Sequence, residues 1–269
     1  MNDYHPRPTA FVLVSTHHGT MLVNRHDYHQ VSGYQAYGVG HQLLSNSSFD
    51  PQEVKMALQL LELRKTYFGP GVVTIDCGAN IGVHTIEWAR LMQNWGEVLA
   101  IEAQERVFYA LAGNLALNNC FNARAIWAAV GAQEGEIGVP IPNYFQPSSF
   151  GSMEIRKKDS TEFIGQAIDY SKLQATRMVT IDQLNLARLD FIKIDIEGME
   201  VEALQGASNT IHRHHPIMLI ESLKSDKAAL EAFMHQAGYQ VIPMGINLLA
   251  IHHADQTLKH IQMPKPQPA

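Results

Sequence analysis

Residues 72–82 read VVTIDCGANIG, and no other segment restricts the chain as much. Val72, Val73, Thr74 and Ile75 make the short β-branched run of a strand buried on both faces, with Asp76 and Gly78 directly behind it. A strand that ends in an acid and passes between two glycines, Gly78 and Gly82, is entering a tight turn. Beyond the turn, Ile86, Ala89 and Leu91 or Met92 recur at helical spacing. Strand, glycine turn and helix in this order present backbone N–H groups at the carboxyl end of a strand, where a ligand can come close. The same glycines also serve as plain turn residues in any α/β protein, so the loop alone does not choose. Its spacing does narrow the ligand. Neither G-x-G-x-x-G nor Gly-Lys-Ser/Thr is present, which disfavours a dinucleotide pyrophosphate and a P-loop triphosphate. A small ligand with a cationic or hydroxyl-bearing head remains, with Asp76 placed to meet it.

A second strand, EVLAIE at 97–102, ends in Glu102. In a doubly wound sheet the acid at this point reaches the ribose of a nucleoside laid over the first loop. The plainer role for Glu102 is a dipole-favoured acid ahead of the helix at 105–119, whose Val107, Leu111 and Leu115 share a face. The joint occurrence of Asp76, the glycines and Glu102 favours the nucleoside site. A third strand is expected at 123–130, and further strands at 178–184, 189–196 and 217–220. The run at 189–196 ends in Asp195, Glu197 and Gly198, and the run at 217–220 ends in Glu221. A helix with Val201, Leu204 and Ile211 lies between them, and Ser225 is expected to cap another with Leu230, Phe233 and Met234. Strands at 240–244 and 248–251 are joined by Gly245 and Asn247 with no room for a helix. The sheet is therefore mostly parallel with one antiparallel strand at its end.

Ahead of this core, residues 11–14 and 21–24 flank a turn and predict a hairpin outside the main sheet. His17 and His18 in that turn are expected to be solvated. Asp50, Pro51 and Glu53 read as the N-cap, first position and capping-box acid of a helix carrying Val54, Leu58 and Leu61. With 269 residues, 46% hydrophobic content and no Ser/Gly-rich linker, one domain with extensions is expected. Its parts are an N-terminal hairpin extension at 1–49, a catalytic domain at 50–258 and a disordered Pro-rich tail at 259–269. Within the domain, the irregular stretch 140–175 reads as a substrate lid or as a floppy surface insertion; as a lid it would shield the reacting centre with Tyr144, Phe145 and Phe150 and leave Arg156 to Asp159 solvated. A net charge of −6 argues against nucleic acid as partner. Two cysteines allow a reducing compartment, and no apolar run approaches the length of a membrane span, so a soluble, cytoplasmic protein is expected. The HRHH run at 212–215 closes a helix, where cations suit the negative end, and is expected to be structural.

Such a sheet resembles the seven-stranded, Rossmann-like core of the class I methyltransferases. Across about residues 70–222 the chain resembles the FkbM-type methyltransferases in particular. The resemblance is carried by IDCGANIGVHT at 75–85, by Glu102 with NLALNN at 114–119, and most specifically by DFIKIDIEGMEVEALQGA at 190–207. Ala103 stands where the family commonly has proline. The resemblance implies S-adenosylmethionine as cofactor, held by Asp76, Gly78, Asn80, Gly82, Thr85 and Glu102. It further implies methyl transfer to a hydroxyl of a small molecule, sugar or secondary metabolite. Asp195 is the first candidate for taking the proton, with Glu197 and Glu221 beside it; helix capping and solvated strand-end acids are the plainer readings of these two. The leading reading assigns no residue to a metal. Two alternatives stay open: a metal-assisted O-methyltransferase in which Asp195 and Glu221 hold a divalent cation, and a non-catalytic module that keeps the fold to bind a partner.

Overall fold

A computed structural model describes residues 7–33 and 35–261. Two hairpins come first, β1 (Phe11–Thr16) with β2 (Gly19–Asn24), and β3 (His29–Ser32) with β4 (Gln35–Tyr37). Helices α1 (Val39–Asn46) and α2 (Pro51–Phe68) lead into β5 (Val72–Cys77), α3 (Val83–Leu91), β6 (Gly96–Glu102), α4 (Glu105–Leu117) and β7 (Ala123–Trp127). Three short strands follow, β8 (Ala129–Val130), β9 (Gly135–Pro140) and β10 (Leu173–Val179). The chain then returns through β11 (Phe191–Ile194), α5 (Glu200–Gln205), α6 (Ser208–His214), β12 (Ile217–Glu221), α7 (Lys227–Gln236), β13 (Tyr239–Met244) and β14 (Asn247–His252).

The main sheet has seven strands in the order β13-β14-β12-β11-β5-β6-β7. Only β14 runs antiparallel to its neighbours, as the short link between the last two strands requires. The order reverses at β5, which has β6 on one side and β11 on the other. A crevice therefore opens at the carboxyl ends of β5, β6 and β11, where open α/β sheets bind ligands. Side chains of β5 alternate between two cores. Val72 joins Leu61, Ile86, Trp88 and Leu111 beneath α2, α3 and α4, whereas Ile75 and Cys77 join Leu204, Ile211, Leu230 and Met234 beneath α5, α6 and α7.

Several local expectations change. Residues 123–130 split at Ala128, so only β7 stays in the main sheet, while β8 pairs in parallel with β10. β10 itself starts and ends earlier than expected and pairs with β9 in a separate three-stranded sheet; residues 182–184 are a 3-10 turn. Asp226, not Ser225, caps α7 by accepting the Ala229 N–H at 3.0 Å, and the Ser225 hydroxyl is spent on Glu200. Asp50 has left-handed backbone (φ 34°) and makes no capping bond; Gln42 holds its carboxylate instead. Glu53 leaves the capping box for His84 and Asn247. His18 is buried rather than solvated. Its Nε2 accepts the Phe49 N–H at 3.0 Å, so Nδ1 carries the proton and donates to Glu87 Oε1 at 2.8 Å.

The first hairpin packs on α4 through Asn114, whose Oδ1 accepts the Leu22 N–H and whose Nδ2 donates to the Ile81 carbonyl at 2.8 Å. One buried amide thus joins the N-terminal extension to the first glycine turn. Of the charged run 156–159, Arg156 pairs with Glu202 and Lys158 reaches the Gly198 and Lys224 carbonyls. Of the proposed tail, Lys259 and His260 belong to a 3-10 turn ending the described chain, and 262–269 lie outside the described residues. Among the described residues no helix is long and apolar enough to cross a membrane.

Candidate functional site

The turn after β5 is held against both neighbouring strands. Gly78 and Ala79 donate their N–H groups to the Ile101 carbonyl of β6 at 2.9 and 3.0 Å. On the other side, a Cβ at Gly78 (φ 77°) would lie 1.7 Å from the Asp195 carbonyl oxygen, so the β5 and β11 ends touch as only glycine allows. The Thr85 hydroxyl, fully buried in the first turn of α3, donates to Asp76 Oδ2 at 2.6 Å. Glu102 accepts the Asn80 N–H on Oε2 at 2.9 Å and the Gln104 N–H on Oε1 at 2.8 Å. Burial pushes its carboxyl up to about 7, against the pull of those backbone donors. Asp76, Gly78, Asn80 and Glu102 therefore share one wall of a cleft of about 280 Å³. Gly82 and Thr85 stand behind that wall, Gly82 against Leu111 and Thr85 as the support of Asp76.

The far end of the cleft is acidic. Asp195 just beyond β11, Glu197 in the next turn and Glu221 at the end of β12 each bring a carboxylate oxygen within 4.8 Å of the others. Glu197 adopts left-handed backbone (φ 57°), and the turn is fixed by buried Glu200, which accepts the Ile196 and Gly198 N–H groups at 3.0–3.1 Å. Glu200 thus braces the turn ahead of α5, which has no side-chain cap, and Glu197 faces the cleft instead of capping the helix. Two lysines answer the three acids. Lys193 Nζ is 2.7 Å from Asp195 Oδ2, and Lys224 Nζ is 2.7 Å from Glu197 Oε2. Burial works against the Lys193 charge, yet Asp195, Asp76 and Glu53 outweigh it and hold the ammonium above its ordinary range. Burial and the neighbouring Asp195 raise the Glu197 carboxyl, and the same two causes push Glu221 up to about 7.

A roof closes the cleft from two distant parts of the sequence. Residues 149–155 contribute Ser149, Gly151, Ser152, Met153 and Ile155, and the N-terminal segment contributes Tyr37, Val39, Gln42 and Phe49. Tyr144, Phe145 and Phe150 do not line it: Phe145 is exposed, and Tyr144 packs on Phe150 with ring centroids 4.8 Å apart. The roof segments are stitched together. Buried Asp27 accepts the Gly40 N–H at 2.8 Å and the Phe150 N–H at 3.0 Å, and Tyr37 donates to Glu162 Oε1 at 2.6 Å. Glu162 in turn pairs with Lys224, whose ammonium donates to the Ser152 carbonyl at 2.6 Å.

Four cleft residues escape a reading of the sequence. Glu53, His84 and Asn247 meet from α2, α3 and β14, with Asn247 Nδ2 donating to Glu53 Oε2 at 2.5 Å and His84 Nε2 3.2 Å from Glu53 Oε1. Nothing local announces that meeting. Lys193 did leave a signal, a lone cation inside the apolar run FIKI near a strand's carboxyl end, where a charge has to face a cavity or a partner.

Comparison with known proteins supplies the context. The methyltransferase FkbM domain matches residues 76–241. The chain is similar to "Methyltransferase 1" of Beauveria bassiana (strain ARSEF 2860), with 24% identity over 183 residues, which is 62% of this chain and 72% of the relative. Among solved structures, methyltransferase FkbM from Methylobacillus flagellatus KT aligns with 19% identity and a TM-score of 0.47, over 68% of this chain and 44% of that one. The chain thus spans less than half the length of that protein. A putative caffeoyl-CoA O-methyltransferase from Staphylococcus aureus aligns with 12% identity and a TM-score of 0.48, over 76% of this chain and 85% of that one.

Proposed function

The chain belongs to the FkbM methyltransferase family, and from that premise we propose that it transfers the methyl group of S-adenosylmethionine to a hydroxyl of a small, oxygen-rich molecule such as a sugar or secondary metabolite. The observation that carries this reading is the single cleft joining Glu102, at the end of β6, to the three acids beyond β11 and β12.

The residues present suit this cofactor. Ile101, Ala128, Ala129 and Val130 line the same cleft as Glu102 with apolar surface that suits a base, and the two Glu102 oxygens suit a pair of ribose hydroxyls. Asp76, Asp195 and Glu197 give the cleft a negative field that favours a sulfonium and an ammonium group. When bound, the cofactor supplies a methyl already activated for in-line displacement. What the chain must add is position, exclusion of water and a destination for the acceptor's proton. Glu53 and Asn247, with Gln42, offer donors and acceptors to a hydroxylated molecule between the roof and the acids. Of the acids, Glu221 is better suited than Asp195 to receive a proton: Lys193 holds Asp195 Oδ2, whereas Glu221 Oε2 is buried with no partner among the described residues.

Incubation of the purified chain with methyl-labelled S-adenosylmethionine and a panel of hydroxylated acceptors tests the reading. Label should appear in an ether oxygen linkage of at least one acceptor. Binding of the cofactor without transfer to any acceptor class would instead favour a non-catalytic module.

A further inference from the structure

We infer that Asp195, Glu197 and Glu221 together hold one hard divalent cation of the Mg²⁺/Mn²⁺ class at the acceptor end of the cleft. The inference builds on the methyltransferase reading by adding a metal to the same site. Its geometric basis is threefold convergence. The acids come from the end of β11, the following turn and the end of β12, and their nearest oxygens all lie within 4.8 Å of one another. Oxygens that share one cation at 2.0–2.5 Å stand about 3–5 Å apart, so this spacing needs little adjustment.

A cluster of acids alone would not suffice, since lysines can satisfy one. Here they satisfy it only in part. Lys193 engages Asp195 through Oδ2 and Lys224 engages Glu197 through Oε2, leaving one oxygen of each carboxylate for another partner. Among the described residues Glu221 takes part in no side-chain hydrogen bond or ion pair, and Lys224 and Lys193 act on it only from a distance. It is 8% exposed, its Oε2 is buried without a hydrogen-bond partner among the described residues, and it borders the same cleft. A buried, unpaired carboxylate beside two others is costly, and a dication removes that cost while two ammonium groups against three carboxylates do not. The left-handed Glu197 backbone and the Glu200 brace fix the middle ligand without using it for packing.

Ligand chemistry selects the metal. The donor set is oxygen only, with no Cys or His among the converging groups, which suits Mg²⁺, Mn²⁺ or Ca²⁺ over Zn²⁺ or Cu²⁺. Three protein oxygens on one side leave positions toward the cleft for water or an acceptor oxygen, the habit of a catalytic Mg²⁺ site rather than a closed Ca²⁺ cage. A hydroxyl bound there would ionise more readily, and with Glu221 engaged as a ligand its proton would leave to water in the cleft instead of to that carboxylate.

The test uses the full chain and Mn²⁺ as probe. Loss of the free-Mn²⁺ electron paramagnetic resonance signal should titrate to one ion per chain. Glu221→Gln and Asp195→Asn should each weaken binding at least tenfold, and His212→Gln, far from the cleft, should leave it unchanged. Circular dichroism checks folding; should Glu221→Gln fail it, the half-exposed Asp195 position carries the test. Failure of Mn²⁺ to saturate below about 1 mM, or wild-type affinity in both acid variants, overturns the inference. Calorimetry with S-adenosylhomocysteine on the same samples separates the two readings. Nucleoside binding without Mn²⁺ binding overturns the cation site alone, and Mn²⁺ binding without nucleoside binding overturns the assigned cofactor alone.

Discussion

Lys224 Nζ stands 2.7 Å from Glu197 Oε2, and the same ammonium donates to the Ser152 carbonyl at 2.6 Å, so one side chain ties an acid of the cleft to the roof above it. Both members are largely buried. Replacing Lys224 by Met should leave Glu197 without its counter-charge and Ser152 without its donor. Loss of one partner from a buried pair costs roughly 3–5 kcal/mol, and the low end applies because Glu197 can take up a proton. Urea unfolding should show that loss, and methyl transfer should drop more than tenfold. Wild-type stability and turnover in the variant would mean that the roof is held by other contacts.

Glu102→Ala should weaken binding of S-adenosylmethionine and its demethylated product. Two charge-assisted ribose hydrogen bonds are worth about 1.5–3 kcal/mol, or one to two decades in affinity. Glu102→Gln keeps one acceptor for the Asn80 or Gln104 N–H and should lose less. Isothermal calorimetry with S-adenosylhomocysteine gives both values, and unchanged affinity in the alanine variant removes Glu102 from the cofactor site.

Asp27→Ala should loosen the roof without unfolding the sheet. The substitution strands the buried Gly40 and Phe150 N–H groups, at about 1–3 kcal/mol for each unsatisfied donor. Limited proteolysis is then expected to cut within 141–172 while the core survives. Cleavage rates equal to wild type would show that the Ser148 N–H bond to the His26 carbonyl and the Tyr37–Glu162 bond suffice.

The ring stack of His215 on His252, with centroids 3.7 Å apart, makes stability pH-dependent. Burial, then the neighbouring histidines, depress both imidazoles below the ordinary value of 6.5. The folded protein therefore binds these protons more weakly than the unfolded chain. Their contribution is fully present above pH 6.5 and is lost as the pH falls below it. Melting temperature should decline on acidification through this window, and His252→Gln should flatten the decline while leaving methyl transfer at neutral pH intact. An equally steep decline in the variant would place the acid sensitivity elsewhere.

The sequence was most informative where function depends on neighbours in the chain. Asp76 and Glu102 end strands, Gly78 turns between them, and each of these facts is written within a few residues. The alternation of strand and helix likewise yields the sheet and its one antiparallel strand. What stayed hidden is assembled across the fold. Asn247 reaches Glu53 over 194 residues, and neither carries a local mark. His18 looked like a solvated turn residue because its partners, Glu87 and Phe49, lie far away in the sequence. Glu197 and Glu200 share one short turn, and which of them braces it is decided by three dimensions: the left-handed Glu197 backbone turns one acid outward while the other is buried beneath.

The clasp between Asp27 and Phe150 spans 123 residues, and this has a consequence for the order in which the molecule assembles. Residues near the amino end leave the ribosome early, yet their partners in the roof are made only after β5, β6 and β7 are complete. Closing so long a loop costs little more entropy than closing one half its length, but it must follow the contacts that bring its ends together. β5, β6 and β7 can therefore pair around an open crevice before the clasp closes, with β11, β12, β13 and β14 still to be made. An amino-terminally nicked chain would be a folded sheet whose crevice lies open to water, so that integrity of the fold and competence of the site would be lost at different stages of damage.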